Sequence, residues 1–203
     1  MSVKNFVEKL ASYQTNNRSF NQYSYDYELG GSIRRNLLIY LEEMRNIGYH
    51  TLLVGEAPGY HGCRWSGIPF TSERIIEERR APLFISKQGF YVSSHVHAEQ
   101  TASIIWETLN ELNLYPLMWN AYPFHPYQSN DPTKNRKPTI EELKSGQVFL
   151  EELIELFEIE TVIAIGRKAE DTLRTIGINC HEVRHPSHGG KQQFIQGMRT
   201  YLG

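Results

Sequence analysis

Between Leu52 and Glu73 the chain reads LLVGEAPGYHGCRWSGIPFTSE. An apolar run stops in a loop dense with Gly, Pro and aromatics. Glu56 stands at the mouth of that loop and Phe70 near its end. Far along the chain comes RHPSHGG at 184–190, and Asn120 closes the apolar run LMWN. Each of these residues has a chemical reading and a plainer one. Gly55 and Gly59 let a backbone come close to a ligand, and free N–H groups in such a turn bind an anion or a water. Glu56 positions a water or accepts from a ligand N–H, or it caps the next turn. Phe70 offers a flat platform for a base, or it covers a sheet edge. The Asn120 amide presents a donor beside an acceptor, which suits a nucleobase edge, or it shapes a turn. The His185 imidazole stabilises developing negative charge, or it bonds to loop backbone. Ser187 caps the last helix or holds phosphate. No GxGxxG and no phosphate loop ending in Lys-Ser/Thr is present.

Such residues need elements to position them. Apolar runs in HTLLVGEAP, YPLMWNAYPFHP and ETVIAIG read as buried strands, and INCHEVRHPS as a fourth. Helices are expected over 1–12, with Phe6, Val7 and Leu10 at helical spacing, and over 31–47, with Ser32 as cap and Gly48 as stop. SERIIEERRAPLF holds a short helix capped by Ser72 and broken by Pro82. Further helices follow in EQTASIIWETLNELNL, in TIEELKSGQVFLEELIELFEI behind a Thr139/Glu142 capping box, in RKAEDTLRTIG and in KQQFIQGMRTYL. GFYVSSHVHA alternates like a strand. Residues 13–30 read as an irregular arm over the surface, and NDPTKNRKP as a polar, basic loop. Strands alternating with helices predict a three-layer α/β/α sandwich around a central, mainly parallel four-stranded sheet. One domain over 1–203 is expected, with the N-terminal arm 1–30 packed on it. Ligands of such sheets sit beyond the carboxyl ends of the strands, and GEAPGYHG, WNAYPFHP, GRKAE and RHPSHGG all fall there.

Bulk properties exclude several classes. With 203 residues the chain is long enough for a proper core. A net charge of −2 carries no overall footprint for nucleic acid, which leaves room for a local basic face. Cys63 and Cys180 are too few for a four-cysteine zinc or iron–sulfur site. No run approaches the ~20 apolar residues of a membrane span, and MSVKNFVEKLASYQTNN lacks an apolar signal region. The expectation is a soluble, cytoplasmic protein with free thiols.

GEAPG at Gly55–Gly59 followed by GIPF at Gly67–Phe70, Asn120 at the end of an intervening strand, and a distal HPS at His185–Ser187 together resemble the uracil-DNA glycosylase superfamily, over roughly Leu52 to Gly190. The resemblance implies that superfamily's fold and a monofunctional DNA base-excision repair glycosylase. Such enzymes flip a base out of DNA and hydrolyse its N-glycosidic bond, here that of uracil or a related deaminated base. By resemblance Phe70 stacks on the base, Asn120 reads its Watson–Crick edge and His185 donates to its oxygen. Backbone groups around Glu56 and Ala57 hold the water. No cofactor or metal is implied; the partner is DNA containing a damaged base, and the default state is a monomer. One branch of the family carries an Asp where this chain has Ala57, so the water activator is Glu56 or is absent, with electrostatic stabilisation carrying the catalysis. The GEAPG spelling resembles the iron–sulfur branches, whose four cysteines are not here. Tyr60 echoes a YHG motif shifted by one residue, which would set it near the base to exclude a 5-methyl group. The segment from Glu73 to Ala98 is expected to form a lid or one side of the DNA groove.

Arg184, Lys134, Arg136 and Lys137 are available for phosphate contact, and NDPTKNRKP either grips the DNA backbone or is a solvated loop. Two rival readings stand beside the glycosylase. One is a non-catalytic protein of the same fold that binds a nucleobase or nucleic acid. The other is a metal-dependent hydrolase using His95 and His97, with His125, His185 or His188 as further ligands.

Overall fold

The structure, a computed structural model, describes residues 1–86, 88–129 and 131–202, and every side chain among them but that of Ser86. Helix α1 (Val3–Ser12) starts where Ser2 Oγ accepts from the Asn5 N–H. A two-residue strand β1 (Ser19–Phe20) precedes α2 (Gly30–Ile47). Ser32 lies inside α2 and does not cap it; Leu29 holds the cap position without a side-chain bond, and Gly48 ends the helix at φ 73°. Strand β2 (Thr51–Gly55) leads through the short helices α3 (Cys63–Ser66), α4 (Glu73–Glu77) and α5 (Pro82–Ser86) to α6 (Gln100–Leu112). Pro82 opens α5 rather than merely ending α4, since the first turn of a helix has no use for the N–H that proline lacks. Ser72 precedes α4 in extended conformation, but its hydroxyl makes no capping bond. Strands β3 (Leu117–Asn120), β4 (His125–Gln128) and β5 (Asp131–Asn135) come next. The expected capping box then starts α7 (Ile140–Leu156), with both of its reciprocal bonds formed. The chain closes with β6 (Thr161–Ile165), α8 (Arg167–Thr175), β7 (His181–Val183) and α9 (Lys191–Leu202).

The main sheet is parallel throughout, in the order β3-β2-β6-β7. β3 is buried along its whole length and β2 everywhere but its first residue. A strand buried on both sides is a strand covered on both faces, which is the α/β/α layering expected. Register aligns the carboxyl ends: Gly55 lies beside Asn120, and Ile165 beside Val183. From β2 the chain crosses first to one side and later to the other, so the sheet's topological switch lies at β2 and β6. Crevices beyond such a switch are where ligands bind in folds of this kind.

Three expectations are corrected. Residues 13–30 lie over the surface in part, with Gln14, Tyr25, Asp26 and Glu28 exposed, but the middle of the arm is pinned into the core rather than merely laid on it. Tyr23 is buried, its hydroxyl donating to the Gly67 carbonyl, while buried Asn21 and Gln22 donate to Leu10, Tyr13 and Pro123 carbonyls. Polar side chains of this kind enter a core when backbone acceptors satisfy them. α1 likewise buries Val3, Phe6 and Leu10, with the Phe6 ring 5.4 Å from that of Trp119. The segment GFYVSSHVHA forms no strand. Fully buried Glu73 accepts from the Ser93 N–H, the Ser93 hydroxyl and the His97 N–H, so a side chain replaces a ladder as its partner. Lastly, the basic loop is partly strand: β5 pairs antiparallel with β4, and β4 with β1, in a second, three-stranded sheet. Position 130 of that loop lies outside the described residues.

Candidate active site

A cavity of about 500 Å³ opens where the carboxyl ends of the four strands meet. The loop after β2 forms its floor. Backbone bonds hold that loop: the carbonyls of Gly55, Glu56 and Gly59 accept from the N–H groups of Ala121, Tyr122 and Gly62. His125 Nδ1 meets the Pro58 carbonyl at 2.9 Å. The carbonyls are thus engaged, while the N–H groups of Ala57 and Gly59 find no acceptor among the described residues. Donors without partners at a cavity wall are suited to hold a water or a developing anion.

Phe70 and Asn120 meet over Gly55. A Cβ added to Gly55 would stand 2.6 Å from Cζ of Phe70 and 2.7 Å from Oδ1 of Asn120. Only a glycine lets the ring and the amide approach the backbone so closely. Phe70 itself has φ 51°, a conformation that costs a bulky residue about 1–3 kcal/mol. Its neighbour Thr71 is locked: its N–H donates to the Ile68 carbonyl, its carbonyl accepts from the Ser66 hydroxyl and its Oγ1 from the Trp106 indole N–H. Asn120 is buried, yet its amide makes no hydrogen bond among the described residues. The residue lines the cavity, so its amide donor and acceptor are open to a ligand.

Glu56 is half-buried and lines the cavity, and its Oε1 is enclosed with no partner among the described residues. Burial raises its pKa above the ordinary value, and the ammonium groups of Lys168 and Lys137 oppose the rise. Both lysines line the same cavity. His185 faces the cavity from beyond β7. Its Cβ leaves no room for a side chain at Gly166, which sits at φ 84°. The Ser187 N–H donates to His185 Nδ1 at 3.2 Å, so in the neutral ring the proton is on Nε2. Burial, helped by nearby Arg184, His188 and Lys168, lowers the His185 pKa and favours that neutral ring.

Several expected residues are placed otherwise. Tyr60 is outside the cavity lining; its ring packs on His61, Trp65 and His125, and its N–H donates to Asn135 Oδ1. Arg136 touches the cavity rim but spends its guanidinium N–H groups on Glu142 and on the Tyr127, Lys137 and Arg18 carbonyls. Such a side chain holds the protein together and is not free for a phosphate. Ser187 Oγ lies between His185 Nδ1 and His188 Nδ1, at 2.7 and 2.9 Å. Lys134 is exposed and paired with Asp131, and Arg184 is exposed. His95 and His97 do not share a strand face; the His97 ring stacks on Trp65 at 4.2 Å. Among the described residues no three His, Cys, Asp or Glu side chains are grouped to hold a metal. Cys63 also lines the cavity, but burial pushes its thiol up to about 12, far from a reactive thiolate.

Glu99 and Lys168 escaped the sequence reading. Lys168 stands in the first turn of α8, directly after the strand end GRKAE, which is the signal that points to it. Glu99 holds the cap position of α6, where an acidic residue reads as an ordinary helix start. Its side chain makes no capping bond and is turned into the cavity instead.

A parallel sheet covered on both faces, with a polar pocket floored by glycines at its carboxyl ends, defines the class as an α/β fold with its pocket beyond the strand ends. The family model described as the uracil DNA glycosylase superfamily matches residues 46–194, most of the chain, and the protein belongs to that superfamily. No individually curated protein matches it in sequence.

Proposed function

We propose that the protein is a monofunctional DNA glycosylase that excises uracil or a related deaminated base flipped out of DNA. The observation that carries this reading is the meeting of Phe70, Asn120 and His185 around one cavity. A ring, an unpaired amide and an imidazole with Nε2–H available are the three tools for holding a planar base by its face, its edge and its leaving oxygen.

In this reading the bond between base and C1′ lengthens and its electron pair stays on the base. The sugar takes on oxocarbenium character. His185 Nε2–H donates to the base oxygen where negative charge grows, as a fixed dipole. Lys168 adds positive charge close by. Glu56 holds a water and takes its proton as the oxygen bonds to C1′, leaving an abasic sugar and a free base. Ala57 supplies no acid–base group, so Glu56 is the candidate activator. Lys137, Lys134 and Arg184 are the proposed phosphate contacts, and Arg136 is left out of that set. The protein is taken to work as a cytoplasmic monomer; among the described residues no helix is long and apolar enough to cross a membrane.

Base release from oligonucleotides carrying one uracil (opposite A, opposite G, or single-stranded) tests the reading, scored as alkali-labile sites. Cleavage that falls at least a hundredfold in His185→Ala and Asn120→Ala supports it. A second reading, a nucleobase-binding protein without catalysis, draws on Ala57. Retained binding to uracil-containing DNA with no release of uracil, xanthine or hypoxanthine would favour it.

A further inference from the structure

His125 opens β4, is fully buried and lies outside the cavity lining. Its two ring nitrogens face two carbonyls. Nδ1 stands 2.9 Å from the Pro58 oxygen, and Nε2 stands 3.1 Å from the Pro132 oxygen. Pro58 belongs to the floor loop and Pro132 to β5. A carbonyl oxygen only accepts, and neither proline has an N–H to offer in its place. Both contacts are therefore hydrogen bonds only when both nitrogens carry protons. A neutral ring has one N–H and serves one carbonyl, with its bare nitrogen set against the other oxygen.

The two carbonyls belong to segments with different tasks in the reading proposed above, on which the catalytic part of this inference rests. Pro58 sits between Ala57 and Gly59, whose N–H groups are unbonded, and two residues after Glu56. Among the described residues the contact with His125 is the one hydrogen bond that Pro58 makes. Pro132 shares β5 with Lys134, a proposed phosphate contact. A second bond joins the same two segments, since the Tyr60 N–H donates to Asn135 Oδ1 at 3.0 Å.

Charges reach the imidazole from several elements. Burial disfavours its second proton, and Arg64 of α3 and Arg136, which follows β5, act the same way; the two carbonyls favour that proton. The balance holds the ring below the ordinary histidine value. Arg136 is itself paired with Glu142 of α7, and Asp131, next to Pro132, with Lys134. The Tyr60 ring of the floor loop lies 5.9 Å away and the Tyr127 ring of β4 6.2 Å away. His61 and His97 pack against Tyr60 in turn, and Phe20 of β1 lies opposite His125 in register. Among the described residues no carboxylate bonds to the ring. Held between both segments, the imidazole gains a bond on its second proton where a lone pair had met an oxygen.

We propose that His125 is a positioning residue that clips the floor loop to the β4–β5 pair through the Pro58 and Pro132 carbonyls, the clip being half-made by the neutral ring and complete when both nitrogens carry protons.

The clip is tested first without DNA, by amide hydrogen exchange at Tyr60, whose N–H spans the same two segments. Nitrogen NMR signals of the ring locate the His125 titration. Protection at Tyr60 is compared on either side of it, with the intrinsic pH dependence divided out. Wild type is expected to gain about threefold or more in protection as the ring takes its second proton, the scale of one added hydrogen bond. His125→Asn places an amide N–H near Nδ1, and His125→Gln places one near Nε2, so each keeps one half of the clip and neither titrates. In both, protection is expected to stay flat over the same pH range. The proposal is overturned by protection that does not rise in wild type, by an equal rise in either variant, or by a ring that takes up no second proton above about pH 4.

Placement of the floor loop is read separately, by base release from the uracil oligonucleotides. His125→Ala is expected to lower kcat/KM about tenfold or more, because the loop beside the reacting bond loses its hold. His125→Asn, which keeps the bond to Pro58, is expected to lose less than His125→Gln, which does not. Should His125→Ala unfold, the other two variants decide, and equal losses in them overturn the positioning role. If wild type releases no base, the glycosylase reading fails by itself, and the exchange measurement still decides for or against the clip.

Discussion

The backbone N–H of Ser187 points at Nδ1 of His185 from 3.2 Å, and the Ser187 hydroxyl meets the same nitrogen at 2.7 Å. Two contacts from one residue fix the imidazole's orientation and its tautomer. The backbone bond survives any substitution at 187 but proline, so the tautomer is secured mainly by the fold of the HPS turn. His185→Ala is expected to lower kcat/KM at least a hundredfold, the scale of a lost oxyanion donor. Ser187→Ala is expected to lower it less than tenfold. Steady-state base release by both variants checks this; equal losses would show that the hydroxyl, not the N–H, holds the ring.

Gly55→Ala sets a methyl group 2.6 Å from the Phe70 ring and 2.7 Å from the Asn120 amide. One of them must move by a few tenths of an ångström or more. Overpacking of this kind costs about 1–3 kcal/mol of stability, while misplacing a reacting base by ~1 Å costs about a hundredfold in rate. Activity is therefore expected to fall far more than Tm. Thermal unfolding measured beside kcat/KM separates the two, and full activity would remove Phe70 and Asn120 from the base site.

Glu56 needs its ionised form to take a proton. Its pKa is raised by burial, so the acid limb of kcat/KM is expected above the ordinary carboxylate range. Lys168 and Lys137 hold that pKa down. Lys168→Ala removes one of the opposing charges, so the limb is expected to move to higher pH. Lys168 also lowers the His185 pKa, and its loss shifts that group the same way. A pH–rate profile of Lys168→Ala that moves toward acid, or not at all, would contradict this placement of the charges.

Arg136 and Glu142 form a nearly closed pair at 2.6 Å, with exposures of 11% and 3%. Burial by itself would raise the Glu142 pKa, but bonds from Arg136, Ser19, the Thr139 N–H and Asn16 outweigh it and hold it at about 2. A depressed carboxylate pKa stabilises the fold above the unfolded value near 4.5, and that contribution is lost as pH falls toward 2. Arg136→Ala removes the counter-ion of a buried carboxylate, which is expected to cost about 3–5 kcal/mol. Denaturant unfolding at neutral pH reads the loss, and the gap from wild type is expected to narrow between pH 4.5 and 2.

Lys134 and Lys137 are exposed and free of such a network. If both touch phosphates, replacing them with alanine flattens the slope of log K against log salt by about 2, or ~0.9 per contact. Binding to uncleavable DNA over a salt series measures it, and an unchanged slope would take this loop out of the interface.

The strands were legible because buried parallel strands are continuous apolar runs, and TLLVG, LMWN and TVIAI read as nothing else. The chemistry at their ends was legible for a related reason: Glu56 directly follows such a run, Asn120 closes one, and His185 lies two residues past a fourth, less apolar strand. What failed were inferences in which a distant segment supplied the partner. Arg136 sits in a basic loop and reads as a phosphate ligand, yet its partners include Arg18 and Ser19, far away in sequence. GFYVSSHVHA alternates as a strand does, but a buried glutamate took its hydrogen bonds. The Tyr-rich arm is polar by composition, yet Asn21, Gln22 and Tyr23 in its middle are buried.

By itself the sequence determined the layered parallel sheet, the four loops that must share one end of it, and the kinds of group those loops carry, because strand periodicity and turn chemistry act over a few residues. The tertiary structure decided which of those groups face one cavity. It turned Tyr60 away, drew Glu99 and Lys168 in, unpaired Asn120 and fixed the proton of His185. Those outcomes depend on packing between segments tens of residues apart, where burial and hydrogen-bond satisfaction outweigh local preference.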